Sequence, residues 1–360
     1  MRTGATPAAD VLFRVDAGRT VGSGHFVRCR LLARALREDG LRSCFVTATP
    51  ENSLVAEARR EDFPVVPLEE GEAVDAAALA LRADEHGRVG SVIVVDDHRT
   101  GFHDLDFQRG IRRAGLGLMM ISFRREPHFV ADIVHNQNLL ALEHEYSVED
   151  HTTLLRGPRY AVLDGAYRAL RPERPSVPDE VEEVLVTFGG GDHTGQTRKV
   201  VDGVARARPK LRRAIVVVGA MYPEPGELRR HLDGLAALES ELHVNTSRMP
   251  ELMARADLAV SSGGLTAWEL ACLGVPNVVL STAETQRETG RLLHRRDCVH
   301  YLGHHDEVTA GDVARCVSSL SADRERRRRL CVRSRDLVDG RGTERVIRHV
   351  RELAAAGRAA

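Results

Sequence analysis

DLAVSSGGLTAWELACLGVPNVVL, residues 257–280, decides the fold. Leu258–Ser261 is a short, continuously apolar strand. Gly263 and Gly264 follow it and open a helix over Leu265–Leu273. Gly274 and Pro276 stop that helix, and a second apolar strand runs over Asn277–Leu280. Apolar runs without alternation mark parallel strands buried on both faces. A strand, a glycine-opened helix and another strand in so few residues form one turn of an α/β sheet.

The same rhythm extends in both directions. Towards the C-terminus it predicts a helix at Gln286–Arg295, a strand at Val299–Leu302 and a helix at Ala310–Leu320. Towards the N-terminus it predicts strands at Glu183–Phe188, Ala214–Val218 and Leu242–Val244, with helices at Gly195–Ala207, Pro225–Ala236 and Met249–Ala254 between and after them. Leu170–Glu180 (LRPERPSVPDE) carries three prolines and many charges, and reads as a linker. Before it lies a second set of strands: Val11–Asp16, Ser43–Thr47, Val65–Leu68, Val92–Asp96, Leu116–Ser122 and Asp132–Asn136. Helices are expected near His25–Glu38, Ser53–Arg60, Ala76–Glu85 and His103–Ala114. The predicted class is α/β, with two doubly wound, Rossmann-like domains and a cleft between them. The expected boundaries are 1–170, a linker at 171–181, 182–340, and a C-terminal helix at 341–360 that is a candidate to pack across both lobes. Helices near Asp323–Leu337 and Gly342–Ala355 have no strand after them.

Length and composition narrow the function. At 360 residues the chain is long for one core. With 51 Lys+Arg against 52 Asp+Glu there is no basic excess, which argues against nucleic acid as a partner. The run RERRRR at 324–329 reads as a solvated helix face. The six cysteines are scattered without metal spacing, so neither a disulfide framework nor a metal site is expected. Met1–Asp10 lacks the apolar core expected of a signal peptide, and no apolar run reaches the length expected of a membrane span. The expectation is a cytoplasmic protein with no membrane partner and no cofactor, its oligomeric state unread.

In open α/β sheets ligands sit beyond the carboxyl ends of the strands, which singles out several turns. The first is RVDAGRTVGSGH (14–25), with Arg14, Asp16, Gly22, Gly24 and His25. The glycines permit close backbone approach. A helix N-terminus beside His25 disfavours its cationic form, which suits a base. Val27 replaces the third glycine of a dinucleotide motif. The second is FGGGDHT (188–194), where Gly189, Gly190, Gly191 and Asp192 precede a helix and could present N–H groups to a diphosphate. The third is the opening stretch: Ser262, Gly263, Gly264 and Thr266 at a helix N-terminus, with Glu269 one turn inside to accept hydrogen bonds from ribose. A fourth, STAETQR (281–287), adds polar groups including Gln286.

These residues together carry a resemblance. Asp257–Leu280 resembles the nucleotide-binding half of the GT-B glycosyltransferase fold. With FRVDAGRTVGSGHFVRC (13–29), VVDDH (94–98), ADIVHNQN (131–138), GPRYAVL (157–163) and VTFGGGD (186–192), the chain resembles the nucleotide-sugar hydrolases of pseudaminic acid biosynthesis, which release UDP from a diacetamido trideoxy hexose. The resemblance runs in order over nearly the whole chain. It implies His25 as the catalytic base. It also implies a sugar side that includes Gly22, Gly24, Asp16, Arg14, Asp96, His98, Arg124, Arg125 and Asn138, and a nucleotide site at Gly189–Asp192, Ser262–Glu269 and Gln286. The implied reaction is inverting attack of water at the anomeric carbon, without a metal. Three departures stand out. Thr285 replaces an asparagine, His98 stands where a tyrosine is common, and Arg124–Arg125 replaces a pair of aspartates, reversing the local charge. A glycosyltransferase using the same donor site with an acceptor hydroxyl is the alternative. A non-catalytic sugar-nucleotide binder fits the intact GSGH less well.

Overall fold

The computed structural model describes residues 8–18, 24–69, 72, 75–97, 99–124, 127–235 and 238–359. The chain divides into two compact units, one formed by 1–162 with 341–360 and the other by 163–340.

The first unit is a seven-stranded parallel sheet. Its elements are β1 (Ala9–Arg14), α1 (Gly24–Glu38), β2 (Ser43–Thr47), α2 (Ser53–Arg60), β3 (Val65–Pro67), α3 (Ala76–His86), β4 (Gly87–Asp96), α4 (Leu105–Arg113), β5 (Gly117–Ile121), β6 (Ile133–Asn136) and β7 (Thr153–Arg156). The strand order is β3-β2-β1-β4-β5-β6-β7. Every residue of β1 and β2 is buried, as expected for apolar strands covered on both faces. Val11, Phe13, Val92 and Val94 pack against α1 on one side, while Leu12, Ile93 and Val95 pack with Phe102 and Phe107 on the other.

The second unit opens with α5 (Gly165–Leu170) and continues through β8 (Glu183–Thr187), α6 (Gln196–Arg206), β9 (Arg213–Val218), α7 (Pro225–Asp233), β10 (Glu239–Val244), α8 (Met249–Arg255), β11 (Leu258–Ser262), α9 (Leu265–Leu273), β12 (Asn277–Ser281), α10 (Thr285–Arg295), β13 (His300–His304), α11 (Ala310–Ala322) and α12 (Arg324–Leu337). Its six parallel strands run β10-β9-β8-β11-β12-β13. Helix α9 is apolar on nearly all sides, and Thr266, Ala267, Trp268 and Leu270–Leu273 are all buried. That suits a helix covered by neighbours all round.

Four features depart from the sequence expectation. β7 is an extra strand, half-buried at the sheet edge. α5 is an extra helix and belongs to the second unit. The proline-rich stretch is fastened to the second unit rather than hanging between domains. Arg335 donates to the Pro172 carbonyl at 2.6 Å, and Arg327 donates to the carbonyls of Pro178 and Asp179 at 2.8 and 2.9 Å. This also corrects the reading of the Arg run as a solvated face: Arg324, Arg328 and Arg329 are exposed, but Arg327 is fully buried. Its guanidinium serves as a multiple donor to four backbone carbonyls, those of Leu320, Ser321, Pro178 and Asp179.

The fourth concerns the last helix, α13 (Gly342–Ala359), which belongs with the first unit. Val346, Val350 and Ala354 enter the core beside α1. Gly357 lies against Gly90, so close that a Cβ on Gly90 would meet the Gly357 carbonyl carbon at 2.2 Å. Among the described residues no helix is long and apolar enough to cross a membrane.

Candidate functional site

In the first sheet the strand order reverses between β1 and β4, and in the second between β8 and β11. Such switch points open a crevice beyond the strand ends. β1, β4 and β11 end in Arg14, Asp96 and Ser262, polar residues singled out above, and β8 ends in Thr187.

At the first switch point α1 begins at Gly24, which places His25 in its first turn. His25 Nδ1 lies 2.6 Å from Asp96 Oδ1, at the end of β4. With Nδ1 protonated, it donates to the carboxylate, which leaves Nε2 as the acceptor. Arg28, one turn along the same helix face, donates from Nε to Asp96 Oδ2 at 2.8 Å and from Nη2 to Oδ1 at 2.6 Å. The Cys29 thiol points to the same carboxylate at 3.7 Å. Asp96 is fully buried. Burial alone would raise its pKa, but the charges and hydrogen bonds of Arg28 and His25 outweigh it and hold the carboxyl well below the usual range. Asp96 is therefore a fixed anion that orients the imidazole, as in a serine-hydrolase dyad.

Phe123, an exposed residue just beyond β5, sets its ring edge-on to His25, with centroids 6.1 Å apart. The Arg28 guanidinium lies 5.3 Å from the centre of the same ring. Under this group His135 is fully buried, with Nε2 bonded to the Tyr160 carbonyl at 2.9 Å. Burial and the charge of Arg28 push its pKa down to about 4, so it is neutral. Its Nδ1 has no hydrogen-bond partner among the described residues.

Arg14 and Asp16 are placed at the same edge but turn inward. Arg14 is fully buried and pairs with Asp16 at 2.8 and 2.9 Å. Thr47 Oγ1 and the Ala48 N–H also donate to Asp16. Arg99 bridges Asp16 and Asp97. This network shapes the strand ends without presenting Arg14 to a ligand. Asn138 is partly exposed beyond β6, with its N–H bonded to Asn136 Oδ1 at 3.0 Å. Arg124 is exposed. Gly22, His98 and Arg125 lie outside the described residues.

The second switch point holds two glycine-rich turns. In Gly189–Gly195, Asp192 adopts a left-handed conformation with φ 41°. Its carboxylate accepts the N–H groups of Gln196 and Thr197 at 2.8 and 2.7 Å. Those are the open donors of α6, so the helix end is already occupied by an anion. Gly190 is backed against Gly219, where an added Cβ would come within 2.5 Å of Gly190. In the other turn Gly264 caps α9 with no side-chain acceptor, which leaves the first N–H groups of the helix open. Ser262 and Thr266 are largely buried there. Gln286 faces Gly263 and accepts from the Thr282 N–H at 3.0 Å.

Glu269 is partly buried on α9 and is hydrogen-bonded by the hydroxyl of buried Tyr167 on α5. Burial raises its pKa to about 7; the Tyr167 hydrogen bond opposes this and the charge of Asp164 adds to it. Among the described residues no group of three or more His, Cys, Asp and Glu is placed to hold a metal.

Sequence reasoning missed Arg28, Phe123, His135 and Tyr167. Arg28 had a signal, since i and i+3 on a helix share a face. The others meet their partners only through the fold.

No family model matches the chain. It is 25% identical over 280 residues to an uncharacterised protein of Methanocaldococcus jannaschii, a match covering 76% of this chain and 56% of that protein. It is 28% identical over 207 residues to the spore coat polysaccharide biosynthesis protein SpsG of Bacillus subtilis, covering 57% of this chain and 60% of that one. The chain thus spans less than two thirds of the length of either relative. Among solved structures it is similar to MurG of Acinetobacter baumannii, with TM-score 0.67, 12% identity, and 96% of this chain and 100% of that one covered. It is also similar to a UDP-GlcNAc 2-epimerase of Neisseria meningitidis bound to UDP-GlcNAc, with TM-score 0.59, 11% identity and coverage of 95% and 99%. The two parallel-sheet units have the architecture of the GT-B fold.

Proposed function

We propose that the chain is an enzyme of carbohydrate biosynthesis that breaks the bond between the anomeric carbon and the diphosphate of a UDP-sugar and passes the sugar to an oxygen nucleophile. The observation that carries this reading is the His25–Asp96 pair clamped by Arg28. His25 Nε2 takes the proton of the attacking hydroxyl as the carbon–oxygen bond forms. The imidazolium keeps its Nδ1–H bond to ionised Asp96, so the new charge is matched where it appears. UDP departs with the bonding electrons and needs little protonation, because a phosphate's second pKa is about 6. The open N–H groups at Gly264–Thr266 are suited to stabilise the departing diphosphate.

Transfer to an acceptor hydroxyl is preferred, because solved structures similar in fold include the calicheamicin glycosyltransferase CalG4 and a glycosyltransferase of Rickettsia africae, and the SpsG relative serves polysaccharide biosynthesis by name. It takes the place of the hydrolysis expected from the sequence. Hydrolysis is the second reading, favoured by the GSGH turn and the run of matched motifs. The chemistry at His25 is the same with water as nucleophile.

The test is incubation with a panel of UDP-sugars, with and without candidate saccharide acceptors, followed by UDP release and NMR of the products. Transfer gives UDP release that depends on acceptor and a new glycoside. Release at the same rate without acceptor, with free sugar of inverted configuration, gives hydrolysis instead. No UDP release from any sugar under either condition would overturn both.

A further inference from the structure

We propose that Tyr167 is a positioning residue for the nucleotide: its hydroxyl holds the Glu269 carboxylate so that one side of it accepts from Tyr167 and the rest accepts from a ribose hydroxyl. The inference rests on the reading of α9 as the nucleotide-binding helix.

The geometry is unusual for a structural pair. Tyr167 is 3% exposed, on a short helix, α5, packed against α9. The partner its hydroxyl meets is a carboxylate, and among the described residues no arginine or lysine bears on Glu269. From α5 and its N-cap the facing groups are Tyr167 and Asp164. The arginines of the other neighbouring helices act elsewhere: Arg255 of α8 pairs with Glu183 and Glu241, and Arg335 of α12 donates to the Pro172 carbonyl. A carboxylate taken from water without a cation is costly. A glutamine would serve the Tyr167 hydroxyl as well. What glutamine cannot do is offer two anionic oxygens with about four lone-pair sites, enough for a tyrosine and vicinal hydroxyls together.

This arrangement makes ribose recognition depend on ionisation. Protonated Glu269 turns an acceptor into a donor and loses a ribose contact. With its pKa raised to about 7 by burial, Glu269 ionises within the neutral range, and the Tyr167 hydroxyl favours the ionised form. UDP affinity should therefore climb as pH rises through neutrality. Removing the hydroxyl should move that climb to higher pH.

The experiment is calorimetry of UDP binding to the full chain across pH 6–9 for the wild type, Tyr167→Phe and Glu269→Gln, with thermal melting to confirm that each variant is folded. The wild type should bind more tightly at high pH. Glu269→Gln should lose that dependence and keep only the titration of UDP itself, whose phosphate has a pKa of about 6. Tyr167→Phe should bind about 3–10-fold more weakly at neutral pH, because a smaller fraction of Glu269 is ionised there, and should recover at the alkaline end. A Tyr167→Phe deficit that is equal at every pH, or no deficit at any pH, overturns the positioning role. If Glu269→Gln binds UDP as the wild type does across the range, the nucleotide-site reading itself fails, whatever Tyr167→Phe shows.

Discussion

The switch points of the two sheets handle charge in opposite ways. In the first unit every carboxylate at the strand ends is matched to an arginine: Asp16 to Arg14, Asp96 to Arg28 and Asp97 to Arg99. In the second unit Glu269 meets a tyrosine hydroxyl and, among the described residues, no cation, and α9 leaves its first N–H groups without a side-chain cap. The first arrangement matches each of these buried carboxylates to a cation. The second leaves donors and an acceptor open. On the proposed function, the first unit carries a fixed charge that drives a proton transfer, and the second offers unfilled hydrogen-bonding capacity to a ligand.

The largest expected effect tests that division of labour. His25→Ala should lower kcat by about 10²–10⁴-fold, the usual loss for a general acid–base group, with UDP affinity within about twofold of the wild type. Single-turnover UDP release beside calorimetry separates the two. Full activity in the variant would remove His25 from the chemistry. Loss of UDP binding with activity would break the division.

Next comes the clamp. Arg28→Ala leaves buried Asp96 without its guanidinium and should destabilise the protein by about 3–5 kcal/mol in denaturant unfolding. The sign with pH follows from the direction of the shift. The Asp96 pKa is depressed on folding, so its contribution is present above the ordinary aspartate range and is lost as pH falls through and below it. The variant should show a weaker acid loss of stability than the wild type. Equal curves would mean that Arg28 does not hold the charge.

Third, Glu269→Ala should weaken UDP binding by about 1.5–3 kcal/mol, the scale of a hydrogen bond involving a charged group. Its stability signature should be the reverse of Asp96. The pKa is raised from 4.5 to about 7 on folding, so stability is fully present below the unfolded value and declines as pH rises through about 7. Melting curves of the wild type should show that decline and the variant should lack it. A variant that melts with the same pH dependence would place the titration elsewhere.

The smallest effect sharpens a comparison within the second unit, between its two glycine-rich turns. Asp192→Ala should cost about 0.5–2 kcal/mol of stability, as for other lost N-caps, and leave UDP affinity unchanged. A drop in UDP affinity comparable to that of Glu269→Ala would bring the Gly189–Asp192 turn back into the nucleotide site.

Those two turns also show what was legible in the sequence. Both follow an apolar strand and open a helix, and their strands and helices were read within a residue or two because buried parallel strands and helix-opening glycines are local signals. Their chemistry was not equally readable. FGGGD and SSGGL look alike as anion cradles, yet the aspartate in the first folds back onto its own helix. The GT-B arrangement and the residues that end each strand were visible. The discontinuous first unit, Tyr167 on α5 and the buried Arg327 were not, because each is fixed by contacts between residues far apart in sequence. The His25–Asp96 contact spans 71 positions, and both residues were singled out without any means of pairing them.

The return of α13 to the first unit sets an order for biogenesis. The ribosome delivers β1 to β7 early, yet Val346, Val350 and Ala354, which complete that core beside α1, come last. The second unit is continuous from 163 to 340 and is in hand before them. At about 5–20 residues per second, the first sheet waits on the order of ten seconds or more with part of its apolar face uncovered. Apolar surface exposed in such an interval is prone to aggregation. The first unit, whose strands are made early, is the last to be closed.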